Sequence, residues 1–434
     1  MAEGSGLSRR AGRERRAVEK IVIEGGRRLQ GQVEIGGAKN AALPIMTATL
    51  LAPGVHRISN VPRLRDVRTM GRLLEILGAT MQVDGHTVTI DTTNVSSTEA
   101  PYELVKTMRA SIYVLGPLLG RYGRARVSLP GGCAWGPRPV NLHIKGMEDL
   151  GAKVTLDHGY IAAEAGRLKG AEISFDVTSV GATGNIMMAA VLADGETVIE
   201  NAACEPDIVD LADFLSAMGA RIDGAGTKRI AIEGVRSLQP VEYGIIPDRI
   251  EAATFMVAGA LVGGEVKVMG CRPDHCSAVM SKLEDAGATL NAGADHVTVL
   301  GVDRPSPIKV STAPFPGFPT DVQAQIIALA SVASGTSTVT DTIYLDRFTH
   351  VQELARLGAD IELDGNVAVV RGVESLSGAP VMATDIRASA ALILAGLRAK
   401  GRTDVSRIYH IDRGYEAIEK KLTALGARVW REDE

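Results

Sequence analysis

Residues 67–79 read VRTMGRLLEILGA, and residues 415–427, near the other end of the chain, read YEAIEKKLTALGA. In both stretches apolar residues recur at three- and four-residue spacing with charged residues between them, which predicts an amphipathic helix. Each stretch ends in Leu-Gly-Ala, and glycine suits a helix end because the backbone turns left-handed there. A short strand pattern follows, such as TMQVDG after the first copy. The unit predicted is therefore a helix, a tight turn and a strand.

The same phrase recurs six times along the chain. Its glycines are spaced by 68 to 73 residues, and they are Gly78, Gly151, Gly219, Gly287, Gly358 and Gly426. Such near-equal intervals indicate repeated structural units. Because the interval is longer than that of common solenoid repeats, we expect six compact subdomains rather than a rod.

Each unit also contains a second helix of a different kind. These segments are apolar on nearly all faces, and examples are NAALPIMTATLLA, NIMMAAVLA, EAATFMVAGALVG, DVQAQIIALASVA and DIRASAALILAGL. A helix without a polar face must be buried. Six buried helices, six amphipathic helices and many short strands predict layers of sheet and outer helix around a helical centre. Three units per globule gives two domains.

Composition and charge exclude several classes of protein. A chain of 434 residues suits two large domains. The net charge of −4 gives no general attraction to nucleic acid, and no apolar run is long enough to insert in a membrane. Residues 1–19 are rich in arginine and lack the apolar segment of a secretory signal, so we expect a disordered tail. A basic phosphate-binding arm is the alternative for this segment.

The cysteines indicate a reducing compartment. There are four, Cys133, Cys204, Cys271 and Cys276. Four in a chain of this length make no disulfide framework, so we predict reduced thiols in a cytoplasmic protein. The spacing of Cys271 and Cys276 fits no standard zinc site.

Polar residues cluster where the buried helices are predicted to begin. Helix starts attract anions because they carry free N–H groups and the positive end of the helix dipole. Residues 36–44 read GGAKNAALP, which places Lys39 at such a start behind two glycines. The pattern indicates a phosphate site, although a tight turn with a surface lysine would have the same residues. It matches neither a P-loop nor a dinucleotide fingerprint.

Residues 130–143 read PGGCAWGPRPVNLH. Three glycines and three prolines between residues 130 and 140 predict a loop. Cys133 lies in this loop five residues before Arg138, and a cysteine near a cation is a candidate reactive thiol. The alternative is a buried structural cysteine, which is the commoner fate of this residue type.

Three further charged residues are predicted next to or inside apolar helices. Asp321 and Asp385 each stand at the start of one, where a carboxylate serves as a helix cap or as a functional group. Arg109 lies in the predicted helix 102–116, where a charge needs an internal carboxylate or a bound anion as its partner. Residues 410–415 read HIDRGY and predict a polar turn before the last amphipathic helix.

Six segments together resemble the UDP-N-acetylglucosamine enolpyruvyl transferases, which belong to the EPSP synthase-like family, in order and spacing. They span residues 36–416 and read GGAKNAALP, GGCAWGPRPVNLH, SVGAT, PGFPTDVQAQ, ATDIRASAALILAG and RIYHIDRGYE. The resemblance implies an α/β fold: a two-domain inside-out α/β barrel with six repeated subdomains, three per domain. It implies that domain one spans residues 39–245 and that domain two joins residues 20–38 to residues 246–431.

The resemblance also implies an activity and its partners. Members transfer the enolpyruvyl group of phosphoenolpyruvate to the 3′-hydroxyl of UDP-N-acetylglucosamine and release phosphate, at the first committed step of peptidoglycan synthesis. The hydroxyl attacks C2 while a proton reaches C3, and phosphate then leaves. The implied catalytic residues are Cys133 as general acid, Asp321 for the hydroxyl proton, and Lys39. Neither metal nor cofactor is implied, because fixed cations meet the developing charge.

The other implied residues bind the two substrates. For the donor they are Lys39, Arg138 and Arg413 at the phosphate, Asn40 for orientation, and Arg387 with Asp385 near the carboxylate. For the nucleotide sugar they are Arg109, the backbone of Arg138, Pro139, Val140, Asn141 and Leu142, then Ser179, Val180 and Gly181, and the backbone of Ile343.

Two positions depart from the pattern of the family. Asn141 stands where many members have Asp, and Val177 stands where many have Lys, which puts contacts with the nucleotide in question. Three alternatives exist: the sister enzyme acting on shikimate 3-phosphate, a catalytically silent paralogue that binds a UDP-sugar, and a plain repeat scaffold. The cysteine loop and the GGAKNAALP segment favour the nucleotide-sugar enzyme. A catalytically silent paralogue would be expected to lack the Cys133 thiol, Lys39 or a key carboxylate. A repeat scaffold would not explain the clustered cations.

Overall fold

The chain alternates short strands with two kinds of helix. A computed structural model describes residues 19–129 and 140–434. The α-helices are α1 Lys39–Ala48, α2 Arg65–Leu77, α3 Tyr102–Val105, α4 Leu115–Tyr122, α5 Asn141–Asp149, α6 Val180–Ala190, α7 Pro206–Ala217, α8 Arg249–Val262, α9 Ser277–Asp285, α10 Gln323–Ala330, α11 His350–Arg356, α12 Ile386–Arg398 and α13 Ile418–Ala424.

The strands are mostly three to six residues long. They are β1 Glu19–Glu24, β2 Leu29–Glu34, β3 Val55–Ser59, β4 Thr80–Asp84, β5 Thr87–Asp91, β6 Glu99–Ala100, β7 Arg124–Ser128, β8 Lys153–Asp157, β9 Tyr160–Glu164, β10 Glu172–Ser174, β11 Glu196–Glu200, β12 Arg221–Asp223, β13 Arg229–Glu233, β14 Glu242–Gly244, β15 Gly264–Met269, β16 Thr289–Ala292, β17 His296–Gly301, β18 Lys309–Ser311, β19 Thr336–Thr340, β20 Asp360–Asp364, β21 Val367–Arg371, β22 Pro380–Met382, β23 Arg402–Ser406 and β24 Arg428–Asp433. Glu19, which the predicted tail included, is the first residue of β1, and residues 1–18 lie outside the described part of the chain.

The described strands form six sheets of four strands, all built to one pattern. In each sheet the first two strands of the order are parallel, and the remaining two neighbouring pairs are antiparallel. The orders are β14-β3-β5-β4, β6-β7-β9-β8, β10-β11-β13-β12, β2-β15-β17-β16, β18-β19-β21-β20 and β22-β23-β1-β24. The prediction of six repeated subdomains is confirmed.

The repeat glycines lie where the amphipathic helices end. All six have a positive φ, between 87° and 107°. Gly78 itself adopts the left-handed conformation at the end of α2, and its N–H donates back to the helix. Only glycine takes this conformation at little cost, which explains why the phrase recurs.

The fold has two helical centres, each of three helices, and the sheets lie outside them. In α8 every residue from Ile250 to Val262 is buried, as expected for a helix with no polar face. The other central helices are α1, α4, α6, α10 and α12, and the amphipathic helices α2, α5, α7, α9, α11 and α13 lie outside them with the sheets. This arrangement is the predicted inside-out α/β barrel. Among the helices of the described residues, none combines the length and apolar character needed to cross a membrane.

The buried apolar side chains form two separate clusters. One draws on residues 38–246, here called the first half, and the other on residues 21–35 and 250–429, here called the second half. β1 joins the second half because it pairs with β23 and β24, and β2 does so because it pairs with β15. The domain boundaries given above stay a prediction.

One predicted element is wrong. Residues 102–116 do not form a single helix, because α3 ends at Val105 and Met108 is extended with a φ of −147°. A 3-10 turn then covers Arg109–Val114 before α4 begins. The N–H and the hydroxyl of Thr107 both donate to the Leu104 carbonyl, over 3.0 Å and 2.7 Å, which closes a tight turn after α3 in place of a further helical turn.

Candidate functional site

The start of α1 is packed tightly between the two halves. A Cβ added at Gly37 would lie 1.6 Å from the carbonyl oxygen of Asn60, so this position requires glycine. The backbone N–H of Lys39 donates to Asp248 Oδ2 over 3.3 Å, which ties α1 to the start of α8. The Lys39 side chain is buried, with 9% of the residue exposed, which excludes the alternative of a surface lysine.

Lys39 and Arg413 share one carboxylate, that of Asp66. Asp66 lies in the first turn of α2 and is 4% exposed. Its oxygens accept from Arg413 Nε at 2.9 Å and Nη2 at 3.4 Å, and Lys39 Nζ lies 3.5 Å from Oδ2. Lys39 and Asp66 belong to the first half and Arg413 to the second, so the triad spans the two halves.

A second carboxylate, that of Asp321, is held between two guanidinium groups. Arg347 Nη2 donates to Oδ1 over 2.8 Å, and Arg387 Nη2 donates to Oδ2 over 3.2 Å. Burial raises the pKa of Asp321, but Arg387 and Arg347 outweigh that effect and hold it well below the usual range. Burial lowers the pKa of Arg387, but Asp321, Tyr415 and Asp248 together outweigh that effect and raise it. All three residues belong to the second half.

A polar network holds the Arg387 guanidinium through Nη1, the nitrogen that does not contact Asp321. Its Nη1 donates to Tyr415 Oη over 3.2 Å, and this hydroxyl lies 2.8 Å from Thr254 Oγ1. Gln325 Nε2 donates to Thr254 Oγ1 over 3.1 Å and to the Asp321 carbonyl over 3.1 Å. These contacts join α8, α10 and α12, so the starts of the three central helices of the second half set the position of this guanidinium.

Two of the predicted residues act as helix caps. The Asp385 carboxylate accepts from the N–H groups of Arg387 at 2.7 Å and Ala388 at 3.2 Å, at the start of α12. The Ser179 hydroxyl accepts from the Ala182 N–H over 3.2 Å, at the start of α6. Asp321 does not cap α10, because its oxygens face the two arginines. Capping therefore accounts for Asp385 and not for Asp321.

The charges around Lys39 come from both halves. Burial lowers its pKa most, Asp66 raises it, Arg387 and Arg413 lower it, and Asp321 raises it, with a lowered pKa as the result. The structure thus brings Lys39, Asp321, Arg387 and Arg413 into one electrostatic neighbourhood. This largely buried group contains four cations, Lys39, Arg347, Arg387 and Arg413, and two carboxylates, Asp66 and Asp321. It is suited to bind a small polyanion that displaces some of these ion pairs.

Arg109 lies beside a buried histidine in the first half. His143 on α5 is 4% exposed, and Asn185 Nδ2 lies 3.0 Å from its Nδ1. Burial, reinforced by Arg109, lowers the pKa of His143 to about 4, so the ring is neutral at pH 7. A Cβ at Gly181 would lie 3.2 Å from His143 Nε2, which shows how closely α5 and α6 approach. Arg109, the start of α5 and the start of α6 therefore border one region.

The remaining predicted residues have various positions. Asn40 is the second residue of α1 and is partly exposed, and Asn141 and Leu142 open α5 directly after Val140. The Ile343 N–H donates to Asp341 Oδ1 over 2.9 Å. Val177 is 65% exposed. Cys133, Arg138 and Pro139 lie outside the described residues.

Sequence reasoning missed Asp66 and Arg347. In the sequence, Asp66 has the position of an ordinary acidic residue in the first turn of an amphipathic helix. Arg347 lies in the segment TIYLDRFTH, in which apolar residues recur at neither helical nor strand spacing. Nothing in the local pattern of either residue distinguishes it from a surface charge. Within the described residues, no group of three His, Cys, Asp or Glu side chains could hold a metal ion.

Comparison with known proteins agrees with this architecture. Residues 23–422 match the protein-family profile described as EPSP synthase (3-phosphoshikimate 1-carboxyvinyltransferase), and the chain belongs to this family. Its curated relatives include the UDP-N-acetylglucosamine 1-carboxyvinyltransferases of Geobacter metallireducens, 57% identical over 414 residues, and Anaeromyxobacter dehalogenans, 57% identical over 419 residues. Each of these alignments covers 95% of this chain and 99% of the relative.

Solved structures give the same fold. The enolpyruvyl transferase NikO from Streptomyces tendae superposes with a TM-score of 0.86 at 28% identity, over 96% of this chain and 99% of that one. An EPSP synthase from Acinetobacter baumannii superposes with a TM-score of 0.74 at 18% identity, over 96% of this chain and 100% of that one. The second likeness concerns the fold alone.

Proposed function

We propose that this chain is a transferase that moves the enolpyruvyl group of phosphoenolpyruvate to the 3′-hydroxyl of UDP-N-acetylglucosamine (EC 2.5.1.7). It would act in the cytoplasm, at the first committed step of peptidoglycan synthesis. The observation that carries the proposal is the meeting of Lys39 with Arg387 and Arg413 between the two halves. The name shared by relatives that are 57% identical over almost the whole chain supports the choice of acceptor.

The cation group suits the donor. Phosphoenolpyruvate carries a phosphate and a carboxylate, and guanidinium forks bind both in a bidentate manner. Lys39 and Arg413 would hold the phosphate, together with Arg138 from the cysteine loop, and Asn40 would orient the reacting group. Arg387 would hold the carboxylate, since Asp385 and Tyr415 already fix its backbone and its Nη1.

Asp321 is the candidate acceptor of the proton from the 3′-hydroxyl. Its lowered pKa keeps it ionised at neutral pH, which is the state that a proton acceptor needs. The hydroxyl oxygen bonds to C2, its proton passes to Asp321, and C3 receives a proton from Cys133. The tetrahedral adduct then loses phosphate from C2 and a proton from C3, which leaves an enol ether.

The nucleotide sugar would lie along the first half. Arg109, residues 138–142, Ser179, Val180 and Gly181 would bind it, and the Ile343 backbone would contact it from the second half. Support comes from the closeness of Arg109, α5 and α6 around His143. A neutral His143 adds no charge to this region, so Arg109 would meet the diphosphate.

Phosphate release tests the function directly. We expect release only when phosphoenolpyruvate and UDP-N-acetylglucosamine are both present, with a product heavier than the acceptor by one enolpyruvyl group. Turnover of shikimate 3-phosphate instead would favour the sister reaction. Binding of UDP-N-acetylglucosamine without any turnover would favour a silent paralogue.

The role of Cys133 has its own test, alkylation by fosfomycin, an epoxide that mimics the donor. Burial raises the pKa of each of the other cysteines: of Cys204, of Cys271 to about 11 and of Cys276 to about 12. Because the thiolate is the reactive form, we expect the label on Cys133 alone. Cys133→Asp should keep turnover and escape the drug, and Cys133→Ala should lose most turnover. Label on another cysteine would contradict the assignment.

A further inference from the structure

The mechanism above gives no role to the buried carboxylate of Asp66. An acid in the first turn of a helix commonly does no more than interact with the helix dipole. Asp66 differs in being 4% exposed and in contacting two cations, Lys39 and Arg413. Removing such a charge from water is costly, and the ion pairs it forms offset that cost only in part, so stability alone does not account for Asp66.

The second half contacts the first at a neighbouring point as well. Glu416 Oε2 accepts from the backbone N–H of Arg63 over 2.8 Å and lies 3.1 Å from His86 Nε2. The turn that carries Arg413 is therefore anchored twice, by Asp66 and by Glu416. The Glu416 contact is partly exposed and touches neither Lys39 nor Arg413, so it offers an internal control for the effect of anchoring alone.

Asp66 also acts on the charge of Lys39. The groups facing Lys39 are Asp66 on α2, Asp248 at its backbone N–H, Asp321 and Arg387 at the starts of α10 and α12, and Arg413 in its 3-10 turn. Burial and the two arginines lower the pKa of Lys39. Asp66 is the largest influence that raises it, ahead of Asp321.

We propose that Asp66 is a positioning residue for the donor site, whose carboxylate holds the Lys39 ammonium and the Arg413 guanidinium side by side across the two halves so that both meet one phosphate. The inference rests on the proposed function. Asp66 acts through the two cations and does not itself touch the reacting atoms. Its charge, and not only its shape, is what the site requires.

Asp66→Asn tests the charge with little change in shape. We expect the KM for phosphoenolpyruvate to rise about 10-fold to 100-fold, because one partner of a buried, hydrogen-bonded charge pair is lost. The KM for UDP-N-acetylglucosamine should stay within about 3-fold, since that site lies elsewhere. Asp360→Asn, which removes a surface carboxylate paired with Arg371, is the matched control and should leave both values unchanged.

The pH profile separates positioning from a structural role. Asp66 raises the pKa of Lys39, so without it Lys39 loses its proton at lower pH. In a Cys133→Asp background, where no thiol titrates at the donor site, the alkaline limb of kcat/KM for phosphoenolpyruvate should therefore move to lower pH when Asp66→Asn is added. Glu416→Gln weakens the neighbouring anchor without touching Lys39, and its alkaline limb should stay where it is.

The outcomes distinguish this inference from the proposed function. If the unaltered protein releases no phosphate with both substrates, the function itself fails. If it does, equal KM changes for both substrates in Asp66→Asn, or an unmoved alkaline limb, overturn the role of Asp66. Should Asp66→Asn not fold, Asp66→Glu carries the test, because its longer side chain shifts the carboxylate from both cations. In that variant an unchanged KM for phosphoenolpyruvate would overturn the proposal.

Discussion

Asp321 and Asp66 are both carboxylates held by two cations, yet they are built differently. Asp321 and its partners Arg347 and Arg387 all belong to the second half, so the group can form whether or not the halves meet. Asp66 joins Lys39 of its own half to Arg413 of the other. One arrangement is preformed and the other depends on contact between the halves. We therefore expect the Arg387 site for the donor carboxylate to exist while the two halves are apart, and the Lys39–Arg413 site for the phosphate to form only when they meet.

The largest expected effect comes from removing the cation of the first half. Lys39→Ala should lower kcat/KM for phosphoenolpyruvate about 100-fold to 1,000-fold, the usual loss when one preorganised charge at a reacting centre is removed. Calorimetry should show UDP-N-acetylglucosamine bound with nearly unchanged affinity. Lys282→Ala, which removes an exposed lysine paired with Asp285, serves as the control. Equal loss of both ligands would mean that Lys39 is misassigned.

Removing an arginine from each carboxylate breaks the comparison directly. We expect UDP-N-acetylglucosamine to compact the protein, as seen by X-ray scattering, because its site and the donor site draw on both halves. Arg413→Ala removes a contact between the halves and should reduce this compaction, whereas Arg387→Ala should retain it. Both variants should raise the KM for phosphoenolpyruvate, by about 10-fold or more. Identical scattering changes in the two variants would abolish the distinction.

The pH dependence of unfolding tests the preformed group around Asp321. The pKa of Asp321 is lowered in the folded protein, so its contribution to stability is present above its unfolded pKa, about 3.9, and is lost as pH falls toward the folded value. Asp321→Asn should cost about 2 kcal/mol at pH 7, and the cost should shrink below about pH 4. Urea unfolding at a series of pH values measures both. A cost that does not change with pH would contradict the ion-pair account.

The smallest effect concerns the two caps. Ser179→Ala should lower the free energy of unfolding by about 1 kcal/mol and leave the KM for phosphoenolpyruvate unchanged. Asp385→Ala should cost a similar amount but also raise that KM, because Asp385 accepts the N–H of Arg387. Denaturant titration and steady-state kinetics on the same preparations check both values. If Ser179→Ala raises the KM for phosphoenolpyruvate as much as Asp385→Ala does, the cap of α12 has no particular role in the donor site.

The features that could be predicted from the sequence are those that produce a local, periodic pattern of residues. Glycine at each helix end and apolar residues on all faces of the central helices are imposed by backbone geometry and by burial, so both leave a pattern. The bond between Arg413 and Asp66 joins residues 347 positions apart, and no local pattern records it. Arg347 was missed for the same reason. The continuous helix predicted around Arg109 was wrong because the backbone is extended at Met108, and the apolar spacing of the segment does not record that break.

The pairing of β1 with β23 and β24 makes the first half an insertion within the second. During synthesis on the ribosome, β1 emerges before the first half, but the strands beside it end only at residues 406 and 433. Residues 38–246 can complete their own core in the meantime, since β14 closes the sheet of β3 at residue 244. A nascent chain stalled at residue 400 thus holds a finished first half and an unpaired β1, which has to remain accessible until the last strands arrive.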